Sequence, residues 1–218
     1  MKLFNVVARA GVPRVLGPMA GWLLRRRVTP DMVTIIGTVA TLVGTVGFAA
    51  RGRLVLAAVF VIFGSLTDVI DGTMARMSGR KGKFGAFLDS TLDRVADGAI
   101  FASLAYWLLT QDRHAAAAAS LICLVATQVV SYAKARAEGL GMTANVGVGE
   151  RAERLIIIGV GGLLAELVWK YAMDVALWIL VVLSLITVGQ RIVTVYRQDR
   201  AAVAAERERQ PETTRSAR

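Results

Sequence analysis

The chain has 218 residues, 55% of them hydrophobic, and a formal net charge of +10. A mean hydropathy of +0.55 is high for a water-soluble domain and indicates a membrane protein. The basic residues cluster at the ends of apolar stretches and do not alternate with exposed aromatic residues, which argues against a nucleic-acid partner. Cys123 is the single cysteine, so an internal disulfide is excluded.

The first 28 residues mix apolar side chains with the basic cluster Arg25, Arg26 and Arg27. Pro13 and Pro18 interrupt any long helix, and the charges are too frequent for a span. We therefore predict that residues 1–28 form an amphipathic juxtamembrane helix on the membrane surface. The N-terminus has no apolar core followed by a small-residue cleavage site, so we expect no cleavable signal peptide.

Residues 29–198 contain six apolar segments that each approach the ~20 residues needed to cross a bilayer. Thr29 as N-cap, Pro30 and Asp31 predict the start of the first helix. The expected fold is an all-α integral membrane domain with six transmembrane helices. The segments are residues 33–50, 54–75, 84–109, 115–137, 152–169 and 171–196.

The basic residues are divided unequally between the two ends of these segments. The turns at one end hold only Arg51, Arg53, Arg113 and Lys170, whereas the other end holds most of the remaining Lys and Arg. The positive-inside rule then places both termini on the cytoplasmic side of the inner membrane. Residues 199–218 are polar, and we expect this tail to be disordered.

Glycines recur in the first and fifth segments. They favour close helix contacts or are incidental, since glycine is common in membrane helices, and the sequence leaves both readings open. These glycines are Gly37, Gly44, Gly47, Gly159, Gly161 and Gly162.

Four acids lie where apolar segments meet a short basic linker. Asp68 and Asp71 are three residues apart, and Asp89 and Asp93 are four apart, so each pair lies on one helix face. Four carboxylates in an apolar setting are costly unless they are paired or bind a cation. Because all four offer oxygen ligands, we predict a site for Mg²⁺ (or Mn²⁺), with two ions expected.

The residues between these acid pairs indicate phosphoryl transfer. Gly72 and Gly85 leave room for a ligand near the backbone, and Arg76 has a forked donor suited to phosphate. Two metals would clamp the attacking and leaving oxygens of such a reaction.

From Asp68 to Asp93 the chain reads D-x-x-D-G-x-x-A-R, eight residues, then G-x-x-x-D-x-x-x-D. This pattern resembles the complete signature of the CDP-alcohol phosphotransferases. The resemblance implies a membrane enzyme, typically a homodimer, that moves a phosphatidyl group from CDP-diacylglycerol to an alcohol and releases CMP. The residues expected to bind CDP-diacylglycerol are Asp31, Met32, Val33, Thr34, Gly72, Ala75, Arg76, Gly82 and Gly85.

The expected mechanism divides the acids by role. Asp68, Asp71 and Asp89 hold the ions, while Asp93 touches the second metal and acts as general base on the acceptor hydroxyl. The alkoxide attacks the phosphorus on the lipid side, and CMP leaves.

Ser131, Lys134, Arg154 and Arg191 form a second group at one membrane level. Interfacial snorkelling explains single cations, but several cations beside a metal site favour an anion pocket. The stretch S-Y-A-K-A-R-A-E-G-L-G, followed by an arginine near the fifth segment, resembles the phosphatidylinositol-phosphate synthase branch of the family. There the acceptor is inositol phosphate, and we expect these four residues to bind it.

Two alternatives remain open. Glycerol 3-phosphate is also a phosphorylated acceptor, so a basic pocket does not exclude a phosphatidylglycerophosphate synthase. A cation transporter would use the acids as an ion path, but Arg76 and Arg94 beside them would repel a passing cation.

Overall fold

A computed structural model of the chain describes residues 16–79, 83–148 and 150–215, and all regular elements in these ranges are helical. This confirms the predicted all-α class. The helices are α1 (residues 16–25), α2 (Pro30–Gly47), α3 (Leu54–Met77), α4 (Lys83–Thr110), α5 (His114–Gly139), α6 (Arg151–Leu167) and α7 (Ala172–Arg215), with a short 3-10 helix at Ala49–Arg51.

Within the described ranges, four helical stretches are long and apolar enough to cross a membrane: Pro30–Arg51, Leu54–Met77, His114–Gly139 and Ala172–Glu206. The other two predicted spans correspond to α4 and α6. Helix α6 has only 17 residues, and α4 carries several charged residues in its first half. Length and apolar composition alone therefore identify four of the six predicted spans.

The start of α2 has the predicted capping geometry. The backbone N–H of Met32 donates a hydrogen bond of 3.3 Å to the Thr29 hydroxyl, and Pro30 is the first helical residue. An N-cap hydroxyl satisfies one of the free N–H groups at a helix start. This fixes the beginning of the helix that carries Asp31 and Thr34.

Helices α2 and α3 pack closely because glycine replaces a side chain at their contact. A Cβ on Gly37 would overlap the Thr67 side chain, and one on Gly44 would overlap Phe60. By contrast, Gly47 and Gly159 have no such neighbour within 4 Å. Gly37 and Gly44 therefore allow a close helix contact, whereas Gly47 and Gly159 are incidental to helix packing.

In α6, Gly161 and Gly162 pack against the start of α7. A Cβ on Gly161 would overlap the Ala176 side chain, and one on Gly162 would lie 3.3 Å from the Met173 methyl carbon. Met173 and Leu177 are buried in the main hydrophobic core, which joins α3, α4, α5 and α7.

Helix α6 also holds α3. The backbone N–H of Val55, near the start of α3, donates a hydrogen bond of 2.7 Å to Glu166 Oε2 near the end of α6. At the other end of α6, Arg151 is 2.6 Å from Asp68 of α3. The helix with the first acid pair is therefore fixed to α6 at both ends.

The two terminal segments are described in part. Residues 16–25 of the predicted juxtamembrane helix are helical, with Ala20 buried beside Val33, Ile70 and Met74, while residues 1–15 lie outside the described ranges. Helix α7 continues to Arg215, so the tail expected to be disordered is helical over residues 199–215. Its A-A-V-A-A-E-R-E-R stretch consists mainly of strong helix formers, which accounts for the difference.

Candidate active site

Three of the four signature acids form one cluster at facing positions of α3 and α4. Each of Asp68, Asp71 and Asp89 places a carboxylate oxygen within 4.8 Å of the others. Opposite ligands of an octahedral Mg²⁺ ion are about 4 Å apart, so small side-chain shifts would suffice for coordination. The all-oxygen donor set and this spacing fit a hard divalent cation.

Asp93 lies beside this cluster and contacts an arginine. Its Oδ1 is 2.6 Å from Arg151 Nη1, and the same nitrogen is 2.6 Å from Asp68 Oδ2. Arg94 lies 3.6 Å from the other oxygen of Asp93. Arg151 therefore connects Asp93 to the three clustered acids.

Two charged residues of this network were missed in the sequence. Asp97 is 4% exposed and pairs with Arg154 at 2.8 Å and with Arg151 at 3.4 Å. Asp97 follows Asp93 by four residues, so it continues the same face of α4, and Arg151 precedes Arg154 by three on α6. Helical spacing was the signal that could have identified both.

A cleft of about 470 Å³ opens beside the acid cluster, between the ends of α2, α3 and α4. Its lining combines acidic and hydroxyl side chains with apolar residues, which suits an amphiphilic ligand. Five of the residues expected to bind CDP-diacylglycerol line it: Asp31, Thr34, Gly72, Ala75 and Gly85.

Hydrogen bonding ties this cleft to the acids. The Thr34 hydroxyl donates to Asp71 Oδ2, and both residues are buried. A Cβ on Gly85 would lie 3.3 Å from Asp31 Oδ1, so glycine allows close approach of α4 to the start of α2.

Three further predicted CDP-diacylglycerol residues, Met32, Val33 and Arg76, do not line the cleft. Met32 is 49% exposed, and Val33 is buried in the packing of α1 against α2 and α3. Arg76 is exposed one turn beyond Gly72 and donates a hydrogen bond of 3.1 Å to Thr73 Oγ1. Gly82 lies outside the described residues.

The predicted acceptor residues differ in burial. Arg154 and Arg191 are buried, and Arg154 pairs with Asp97 at 2.8 Å. Arg191 also donates hydrogen bonds to the carbonyl oxygens of Val130 and, at 3.1 Å, Val146. Among the described residues, Arg191 bonds to carbonyl oxygens and forms no ion pair with a carboxylate. A buried cation without an anion is costly, which favours a phosphate-binding role.

The other two members of this group lie on α5. Ser131 is half-buried, whereas the Lys134 side chain is 45% exposed and lies 4.0 Å from Glu138. Lys134 is therefore held only by a weak surface ion pair, and its ammonium group is free to meet a ligand.

Comparison with known proteins places these residues in a family context. The family model for CDP-alcohol phosphatidyltransferase matches residues 27–197. A phosphatidylinositol phosphate synthase of Streptomyces avermitilis is 45% identical over 212 residues, which cover 93% of this chain and 86% of that protein.

Solved structures of the Mycobacterium tuberculosis phosphatidylinositol phosphate synthase are similar over most of the fold. The crystal structure with CDP-DAG bound has a TM-score of 0.80 at 43% identity, and the match covers 84% of this chain and 94% of that one. The complex with manganese and citrate has a TM-score of 0.79 at 44% identity, covering 83% and 88%.

Proposed function

Because the chain belongs to the CDP-alcohol phosphatidyltransferase family, we propose that it transfers the phosphatidyl group of CDP-diacylglycerol to an inositol phosphate. The products are phosphatidylinositol phosphate and CMP. The observation that carries this proposal is the cluster of Asp68, Asp71 and Asp89 at the edge of the cleft. Relatives named phosphatidylinositol phosphate synthase at 42–45% identity support the choice of acceptor.

The cleft between α2, α3 and α4 is the proposed nucleotide-lipid site. Asp31 and Thr34 line its polar side, and Gly72 and Gly85 leave space near the backbone. The CDP-DAG bound to the Mycobacterium tuberculosis protein supports this assignment. In this arrangement the diphosphate meets the acids, with Arg76 as a further cation one turn away.

The acids are the proposed ligands of Mg²⁺ or Mn²⁺, with two ions in the full site. Asp68, Asp71 and Asp89 provide the cluster, and Asp93 joins it at the second ion. Bound there, the ions would neutralise the diphosphate and stabilise charge on the transferred group. The manganese complex of the Mycobacterium tuberculosis protein supports a divalent cation.

Asp93 is the proposed general base. It takes the proton from the acceptor hydroxyl, whose oxygen then forms a bond to the phosphorus on the lipid side. The bond from that phosphorus to the CMP oxygen breaks, and CMP leaves. Proton transfer of this kind contributes about 10²–10⁴ to the rate.

The acceptor phosphate is proposed to bind Ser131, Lys134, Arg154 and Arg191. Arg191 is buried and bonds to carbonyl oxygens, so a bound anion would lower the cost of burying its charge. Lys134 is more exposed and would add a further cation to this site.

The membrane arrangement also belongs to the proposal. Helices α4 and α6 would complete six spans, because the buried charges of Asp97 and Arg154 pair with each other inside the bundle. Both termini and the active site would face the cytoplasm, in the inner membrane, with residues 1–28 on its surface. A homodimer is the proposed assembly.

An acceptor screen tests the proposed activity. The purified chain, with CDP-diacylglycerol and Mg²⁺, should release CMP fastest with 1D-myo-inositol 3-phosphate. Faster CMP release with glycerol 3-phosphate would identify the chain as a phosphatidylglycerophosphate synthase. CMP release with free inositol alone would show that the basic pocket does not bind an acceptor phosphate. A cation transporter would instead show flux across sealed vesicles without CDP-lipid, but Arg151 between Asp68 and Asp93 opposes such an ion path.

A further inference from the structure

One nitrogen of Arg151 lies between two signature acids from different helices. Its Nη1 is 2.6 Å from Asp68 Oδ2 on α3 and 2.6 Å from Asp93 Oδ1 on α4. A cation shared by these two carboxylates would have to lie between them, and the guanidinium occupies that position.

A third acid, Asp97, contacts the same arginine through a different nitrogen. Asp97 is buried, and its Oδ1 lies 3.4 Å from Arg151 Nε, while its Oδ2 accepts a 2.8 Å hydrogen bond from Arg154. Asp97 therefore links Arg151, beside the proposed metal site, to Arg154 of the proposed acceptor pocket. It can retain Arg151 when Nη1 moves away from Asp68 and Asp93.

We propose that Arg151 is a placeholder cation that neutralises Asp68 and Asp93 until a divalent ion binds. Arg151 then releases both carboxylates to the ion and stays paired with Asp97. This inference depends on the proposed function through the metal-ligand roles of Asp68 and Asp93. It adds Arg151 and Asp97 as positioning residues that set metal affinity.

The physical reason is the cost of unpaired charge. Carboxylates removed from water without a partner destabilise a fold, and Arg151 compensates two of them before a metal ion binds. An arginine side chain stays protonated at all working pH values. A metal ion must therefore displace Arg151, and metal affinity reflects competition between the two cations.

This competition predicts opposite effects for two substitutions. Arg151→Gln removes the competitor, so the Kd for Mn²⁺ should fall about tenfold, the scale of a lost charge-assisted hydrogen bond. Asp97→Asn removes the anchor, so Arg151 pairs more firmly with Asp68 and Asp93 and the Kd should rise severalfold. The Arg151→Gln, Asp97→Asn double variant should match Arg151→Gln within about twofold, because Asp97 acts through Arg151.

Arg53→Gln is the control. It makes the same substitution at an exposed arginine in the turn before α3, and Arg53 takes no part in the ion pairs of Asp68, Asp93 and Asp97. Its Kd for Mn²⁺ should stay within about threefold of the wild type, since a distant group outside the network couples little to it. Arg151→Lys keeps the positive charge but lacks the planar guanidinium with its several N–H donors. Its Kd for Mn²⁺ should therefore lie between those of the wild type and Arg151→Gln.

The test is Mn²⁺ binding to the purified full chain without substrates, followed by the electron paramagnetic resonance of free Mn²⁺. Tighter binding by Arg151→Gln with weaker binding by Asp97→Asn supports the placeholder. Unchanged or weaker binding by Arg151→Gln overturns it and leaves the metal site intact. If Arg151→Gln does not fold, Asp97→Asn and Arg151→Lys decide: wild-type affinity in both overturns the placeholder. Absence of Mn²⁺ binding to the wild type would overturn the metal site and this inference together.

Discussion

Gly64 of α3 faces Gly37 of α2 so closely that a Cβ at Gly64 would lie 2.9 Å from the Gly37 carbonyl oxygen and overlap the Thr41 hydroxyl. Gly64→Ala should therefore destabilise the chain by about 1–3 kcal/mol through overpacking. Thermal unfolding in detergent measures the effect. Gly47→Ala in the same helix pair is the control, since its Cβ meets no atom within 4 Å, and equal unfolding temperatures for both variants would contradict the close contact.

Asp93→Asn should abolish turnover while retaining CDP-diacylglycerol binding. Asparagine keeps the shape of the side chain but cannot accept the proton from the acceptor hydroxyl, so kcat should fall by about 10²–10⁴. CMP release measures kcat, and equilibrium binding of labelled CDP-diacylglycerol measures retention. Normal turnover would remove the general-base assignment.

Asp68→Asn should weaken metal binding and cause loss of the metal-dependent activity. The amide oxygen carries no full charge, so the metal concentration for half-maximal activity should rise at least about tenfold, with activity lost at ordinary concentrations. Asp112→Asn is the control for the same chemical change, because Asp112 is exposed and its φ of 55° is tolerated by asparagine. An unchanged metal response of Asp68→Asn would remove its ligand role.

Arg191→Ala should raise the KM for inositol phosphate more than the KM for CDP-diacylglycerol. The guanidinium is buried, and its removal takes a cation from the proposed acceptor pocket. A loss of one charge-assisted contact corresponds to about tenfold in KM. Equal changes in both KM values would reject the pocket, since Arg191 also holds the Val146 carbonyl and a structural role would affect both substrates.

Local sequence signals predicted the helices and the two acid pairs, three members of which form the acidic cluster. Thr29 and Pro30 fix the start of α2 through contacts within four residues. Asp68 and Asp71 share a face because of helical spacing alone. The all-α class and the placing of Asp68 beside Asp71 follow from such short-range rules, whereas the approach of Asp89 depends on how α4 packs against α3.

Long-range pairing was harder to predict. Asp97 and Arg154 are 57 residues apart, and Arg151 is 83 residues from Asp68. Which arginine reaches which acid depends on how α6 packs against α3 and α4, and no local pattern encodes that choice. The same limit applies to the glycines, because only the facing helix decides whether Gly37 or Gly47 is in contact.

The most direct test of the account is a crystal structure with CDP-diacylglycerol and Mn²⁺, with diffraction recorded at an energy where manganese scatters anomalously. We expect anomalous peaks at about 2.0–2.3 Å from the carboxylate oxygens of Asp68, Asp71 and Asp89, next to the diphosphate. Well-ordered CDP-diacylglycerol, with these carboxylates turned apart and no peak between them, would contradict the account.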